Sequence, residues 1–131
     1  MRRAEFSYDG SYPGEPLPIL PVEFRPVSGA SGVILDRVIA DTGADASAIP
    51  WADCQRLQLD AAQGRPIQMS GVAGGAEMSL LFRVWVYLDG QEYPCRLQAD
   101  FIGHERILGR DVLNRVEALF RGPAGEIVVN P

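Results

Sequence analysis

Residues 38–50 read Val38-Ile39-Ala40-Asp41-Thr42-Gly43-Ala44-Asp45-Ala46-Ser47-Ala48-Ile49-Pro50. The β-branched run over residues 33–40 (VILDRVIA) reads as a strand that delivers an aspartate to a short loop. Small apolar residues follow, and Ser47-Ala48-Ile49-Pro50 reads as a second short strand. Thr42 can fix such a loop through its hydroxyl. Gly43 lets a ligand, or a second copy of the loop, approach the backbone closely. The triplet alone is a weak signal, because an ordinary turn aspartate accepting local backbone bonds has the same sequence. The flanks argue for more. They are apolar enough to hold Asp41 near the core, where a lone charge is costly and needs a proton or a partner.

Upstream, residues 17–24 (LPILPVEF) are strand-like, but Pro18 and Pro21 suit an edge or a domain border. Residues 1–16 mix Gly, Pro, Tyr and Ser with little periodicity. They read as a flexible or loosely docked arm, which leaves residues 17–131 as one domain. Downstream, Pro50 suits a helix start, and residues 51–57 (WADCQRL) fit a short helix. Residues 67–81 hold two apolar stretches around Gly71, Gly74 and Gly75, which predicts a hairpin with a glycine-rich tip. Residues 80–88 (LLFRVWVYL) are a strand, Asp89-Gly90 its turn and residues 93–99 its partner. Val112, Leu113, Val116 and Leu119 fall at helical spacing, which predicts a helix over 111–120. Residues 126–130 (EIVVN) read as a last strand. Many short strands with two short helices predict a mainly-β barrel or sandwich.

A chain of 131 residues and 14.3 kDa is one domain. With 47% hydrophobic and 22% charged residues it has ordinary globular composition. It buries enough surface to fold without a disulfide or metal staple. A net charge of −5 argues against non-specific binding to nucleic acid or an anionic membrane. All 12 basic residues are arginine, which excludes lysine chemistry. Cys54 and Cys95 fit neither a zinc spacing nor a C-x-x-C, and read as two buried thiols in a reducing compartment. No apolar run is long enough to span a membrane. The start is basic, but Ser7-Tyr8-Asp9-Gly10 stands where a signal peptide needs an apolar core, so a cytoplasmic location is expected. His104, the only histidine, reads as a surface residue, and Ser47 and Ser70 lack the context of a serine hydrolase.

Asp41-Thr42-Gly43-Ala44-Asp45-Ala46-Ser47 resembles the active-site loop of the retropepsins, the retroviral-type aspartic proteases and their bacterial and cellular relatives. Two further motifs lie in that family's order. Gly71-Val72-Ala73-Gly74-Gly75 is similar to the tip of its flap hairpin, with Val72-Ala73-Gly74 and Ala73-Gly74-Gly75 both matching the apolar-x-Gly pattern. Ile107-Leu108-Gly109-Arg110-Asp111 resembles the segment that leads into its helix, matched here by residues 111–120. The resemblance covers about residues 33–130. It implies a closed, barrel-like, mainly-β fold with two short helices, one lobe per chain, and neither cofactor nor metal.

The resemblance also implies roles. Asp41 is catalytic, Thr42 bonds to the other loop across a two-fold axis, and Gly43 offers its backbone to substrate. Ala44, Asp45 and Ala46 line the cleft, Ile107 forms its floor, and Gly71, Val72, Ala73 and Gly74 close over it. Arg110 supports the loop and pairs with Asp45. Ala46 stands where many retroviral members carry an acid, which implies a less polar outer subsite. The chemistry needs two carboxylates that share a proton and activate a water. This chain has one D-[TS]-G, so the second must be Asp41 of another copy. The expected function is a homodimeric aspartic endopeptidase acting on extended peptides with apolar side chains. The alternative is a weak or inactive peptide-binding or dimerisation module on the same fold. Residues 18–24 offer a dimer strand or a cleavable extension, and residues 127–129 a terminal sheet interleaved with the partner.

Overall fold

The computed structural model describes residues 4–70 and 76–131, so the tip expected at Gly71, Val72, Ala73, Gly74 and Gly75 lies outside the described residues. Among the described residues ten strands and two short α-helices form in chain order: β1 (Ala4–Ser7), β2 (Ile19–Arg25), β3 (Val33–Ala40), β4 (Ser47–Pro50), α1 (Trp51–Arg56), β5 (Arg65–Ser70), β6 (Ala76–Leu88), β7 (Gln91–Asp100), β8 (Arg106–Leu108), α2 (Arg110–Leu113), β9 (Ala118–Arg121) and β10 (Glu126–Val129). The order β2-β3-β8-β4-β7-β6 closes on itself, because β2 also pairs with β6. This is a closed six-stranded barrel. Strand β5 extends beyond β6 as one arm of the expected hairpin, with Ser70 opposite Ala76. Asp89 and Gly90, both at positive φ, make the tight turn from β6 to β7.

Alternating side chains fill the barrel, from Val22 and Phe24 on β2 to Val84 and Val86 on β6 and Cys95 and Leu97 on β7. Segment 17–24 is an edge only in part. Residues 19–22 pair with β3 alone, whereas Glu23 and Phe24 are paired on both sides, with β3 and with β6, and offer no free dimer strand. Pro21 is tolerated because it sits at a β-bulge: the register slips between Leu20 and Val22, and Asp36 and Arg37 of β3 stand opposite it. Arg37 takes a left-handed φ of 55°, which turns two successive side chains outward before Val38 returns to the core.

Three terminal elements depart from expectation. Part of the expected loose arm is the docked strand β1, laid antiparallel on β10, with Ala4, Phe6 and Tyr8 packed against the core. The expected helix over 111–120 ends after one turn, and residues 118–121 form β9 instead. Backbone pairing with β10 wins over helical spacing there, and Leu119 and Phe120 are left 45% and 38% exposed. Strand β10 lies between β1 and β9 of its own chain, so it has no free edge to interleave with a partner.

The barrel depends on a crossing. Strands β3 and β4, although joined by residues 41–46, are not neighbours: β8 runs between them, parallel to β3 and antiparallel to β4. The connecting loop arches over the end of β8, with Asp41 N–H donating to Leu108 O at 3.0 Å and Arg110 N–H to Ala44 O at 2.8 Å. Gly109 lies under the arch in extended backbone, so its requirement is space rather than a special φ. A Cβ there would stand 2.6 Å from the carbonyl carbon and oxygen of Ala46. Buried Ser47 fastens the crossing: its hydroxyl accepts from Gly109 N–H at 3.0 Å and donates to Asp111 Oδ1 at 2.9 Å.

Gly109→Ala should therefore destabilise the protein by roughly 3 kcal/mol, as overpacking against backbone that cannot yield. Ser47→Ala, which strands the Gly109 N–H, should cost about 1–3 kcal/mol. Urea unfolding measures both, and an unchanged midpoint for Gly109→Ala would refute the close crossing. Cys54 and Cys95 are free and buried, and burial pushes both thiols up, Cys54 from 9.0 to about 12. Neither should react with iodoacetamide until the chain unfolds. In the unfolded chain the thiols ionise first, so stability should fall as pH rises from 9.0 towards 12.

Candidate active site

Asp41 follows directly on Ala40, the last residue of β3, and its backbone is pinned to Leu108. Ala40 and Ala46, on either side of the loop, are each only 5% exposed. Asp41 itself is half-buried, and Thr42 and Gly43 are exposed. The apolar flanks therefore do not draw the aspartate into the core. They anchor an arch whose crown faces outward, so the carboxylate stands at the rim of the chain. Its Oδ1 accepts from Gly43 N–H at 2.8 Å, and Ala44 N–H donates to Asp41 O at 3.3 Å. A Cβ on Gly43 would approach that Oδ1 to 3.1 Å, so glycine keeps the carboxylate uncrowded.

Arg110 holds the loop, but not through Asp45. Its Nη1 donates to Thr42 O at 2.7 Å, and its own N–H bonds Ala44 O. Among the described residues no ion pair joins Asp45 to Arg110. The guanidinium satisfies a backbone carbonyl of the arch instead, and Asp45 is left exposed beside it. Among the described residues the Thr42 hydroxyl has no hydrogen-bond partner.

Four of the residues singled out from sequence, Ala44, Asp45, Ala46 and Ile107, line one cleft of about 410 Å³. Asp41, Thr42 and Gly43 stand at the crown of the loop whose stem forms its wall. Sequence reading missed its other members. Ala48 comes from β4, Gln68 from β5 and Gln98 from β7, so two amides face a wall of small apolar side chains. The alternation of β5 and β7 was the available signal for these glutamines. Asp111, read from sequence only as the end of the Ile107–Asp111 motif, accepts from Ser47 through Oδ1 and from Arg96 N–H at 2.8 Å through Oδ2, tying α2 to β4 and β7.

A second unforeseen cluster braces the barrel on the side of α1. Arg106 grips the buried Asp53 with Nε at 2.8 Å and Nη2 at 3.1 Å, and reaches Asp36 with Nη1 at 2.7 Å. These carboxylates raise the Arg106 guanidinium above its ordinary value, Asp53 most of all. His104 is exposed. Among the described residues no group of three His, Cys, Asp or Glu is placed to hold a metal, and no helix is long and apolar enough to cross a membrane.

The sequence matches no protein-family model and no curated protein. Among solved structures, the chain is similar to EIAV protease complexed with the inhibitor HBY-793, at 29% identity over 80% of this chain and 92% of that one, with a TM-score of 0.56. It is also similar to a retropepsin-like aspartic protease from Rickettsia conorii, at 15% identity over 98% of this chain and 91% of that one, with a TM-score of 0.70. That second likeness is one of fold, and it extends over the terminal strands as well as the barrel. The structural neighbours of this chain are thus retropepsin-like aspartic proteases, and the chain has their single-lobe, closed-barrel fold.

Proposed function

We propose that this chain is an aspartic endopeptidase that works as a homodimer and hydrolyses extended peptides with apolar side chains. The observation that carries the reading is the position of Asp41: a lone D-T-G carboxylate at the outward crown of a loop whose stem lines a cleft. One such group cannot perform the chemistry, and an outward crown is where a second copy can meet it. Two carboxylates brought together cannot both ionise, so they share one proton. One acts as general base on a water. The other, protonated, polarises the scissile carbonyl, and the roles exchange as the amine leaves. The pair titrates as a unit.

The other residues then take the following parts. The Thr42 hydroxyl, free in one chain, bonds to the facing loop. Gly43 orients the carboxylate through its N–H and presents backbone to substrate. Ala44, Asp45, Ala46 and Ile107 receive substrate side chains, and the apolar wall favours apolar ones. Arg110 holds the arch in shape through Thr42 O. The closing role of Gly71, Val72, Ala73 and Gly74 rests on the resemblance alone. Two free, buried thiols support a reducing compartment, and so a cytoplasmic location.

Asp41→Asn should lower kcat by about a thousandfold or more, while the protein still binds peptide. Hydrolysis equal to that of wild type, at mildly acidic and neutral pH alike, would sink the peptidase reading. Binding without hydrolysis by wild type would instead identify a peptide-binding module. Mixing separates a shared site from a single-chain one. Adding excess Asp41→Asn chains to a fixed amount of wild type should drive activity towards zero as mixed dimers form. Activity indifferent to the added chains, with sedimentation showing a monomer, would place the whole site in one chain.

A further inference from the structure

The arginines divide into two sets. Arg2 and Arg3 lie outside the described residues. Arg25, Arg37, Arg56, Arg106 and Arg121 are each ion-paired with a carboxylate. Arg65, Arg83, Arg96, Arg110 and Arg115 have no ion pair among the described residues, although acidic residues outnumber basic ones 17 to 12 over the chain. These five lie together. Arg83, Arg96, Arg110 and Arg115 line a groove of about 600 Å³ between the outer face of β6 and β7 and helix α2. Arg65 joins Arg83 and Arg96 around an adjoining hollow of about 420 Å³ that has no acidic residue in its lining.

The fold explains why these positions point outward but not why they are arginine. Arg83 lies between buried Phe82 and Val84, and Arg96 between buried Cys95 and Leu97, so any polar side chain would serve the barrel. Instead the two are direct partners across the β6–β7 ladder. Like charges directly opposite each other destabilise a sheet. Among the described residues only two carboxylates reach the groove. Asp111 is committed to the Ser47 hydroxyl and the Arg96 N–H. Asp45 stands at the mouth, where it lines both the groove and the cleft beside the Asp41 loop.

We propose that this arginine groove binds a carboxylate-rich segment of polypeptide, flanking the stretch that occupies the cleft. The inference rests on the reading of the cleft as a peptide site. A chain leaving the cleft past Asp45 runs directly onto Arg110, Arg96 and Arg83. Guanidinium forks fit carboxylates two bonds at a time, and an acidic partner relieves the Arg83–Arg96 repulsion. A nucleic acid fits less well, because a net charge of −5 repels a dense polyphosphate beyond the edges of the groove.

The test uses the full chain carrying Asp41→Asn and two fluorescent peptides with the same apolar centre, one flanked by glutamates and one by glutamines. By anisotropy, the glutamate peptide should bind about tenfold more tightly at low salt, with the advantage shrinking as salt rises. Adding Arg83→Gln and Arg96→Gln should abolish the difference and leave the glutamine peptide unaffected. Equal affinities, or a preference that survives in high salt, would overturn the proposal. So would tighter binding of a labelled DNA duplex, or conversion of a dimer to monomer by the arginine substitutions, which would make a second copy the occupant. Hydrolysis by the unsubstituted chain separates the two readings. A glutamate preference in binding without cleavage of either peptide leaves the groove standing and removes the peptidase. Cleavage of both with equal kcat/KM does the reverse.

Discussion

The structure depends on one strand lying between two that the chain joins directly. Because β8 separates β3 from β4, residues 41–46 cannot close as a hairpin and must arch over the end of β8. The arch spends its inward backbone groups on that strand and the residues after it, through Asp41 N–H, Ala44 O and the Ser47 hydroxyl. It also needs a residue without a side chain beneath it, which Gly109 supplies. The outward crown, where Asp41, Thr42 and Gly43 stand, is the geometric remainder. The position of Asp41 is a consequence of strand order: the same loop between adjacent strands would have no buried strand end to brace it.

Charge is handled in two ways on this small barrel. Near α1, Arg106 is enclosed by Asp53 and Asp36, and every side chain of that cluster has its counter-charge. Removing Arg106 would leave the buried Asp53 with only the longer pair to the exposed Arg56 side chain at 3.4 Å, which approaches the costly case of a buried charge without its partner. On the face formed by β5, β6, β7 and α2, five guanidinium groups collect without an ion pair among the described residues, and two of them face each other. The first arrangement serves folding. The second works against it and is tolerable only because the groups are solvated, which is the usual physical mark of a surface kept for something outside the chain.

Legibility from sequence followed the range of the interactions. Strands β3 and β4 were readable to the residue, because a β-branched run and a following Ser-Ala-Ile-Pro are local signals. Helix α1 and the Asp89-Gly90 turn were readable for the same reason. Pro21 does lie where β2 is paired on one side only, but the bulge that accommodates it was not readable, since it is made by Asp36 and Arg37 on another strand. Residues 118–121 carry helical spacing, and only their pairing with β10 makes them a strand. At the site, the Asp41 loop was found from its own residues. Gln68 and Gln98 join the cleft through strands far along the chain, and Arg110 bonds Thr42 O rather than the nearer-seeming Asp45, a choice fixed by the arch and not by charge.

The placement of Asp41 also limits what the fold must compensate. A carboxylate at a rim, held by a single Gly43 N–H, is only half-buried and keeps its access to water. The Thr42 hydroxyl beside it is exposed, so leaving it unbonded is equally cheap. Neither group asks the folded monomer for compensation, and the buried crossing beneath them supplies the rigidity. The expense arises only when two crowns meet as proposed, where desolvation and like charge fall on the carboxylates together. A contact between copies must offset that expense. Strand β10 has no edge to contribute, since β1 and β9 occupy both of its sides. In a dimer of the proposed kind, the terminal sheet has only the outer edges of β1 and β9 and its faces to offer a partner, and β9 carries the exposed Leu119 and Phe120 that such a contact would bury.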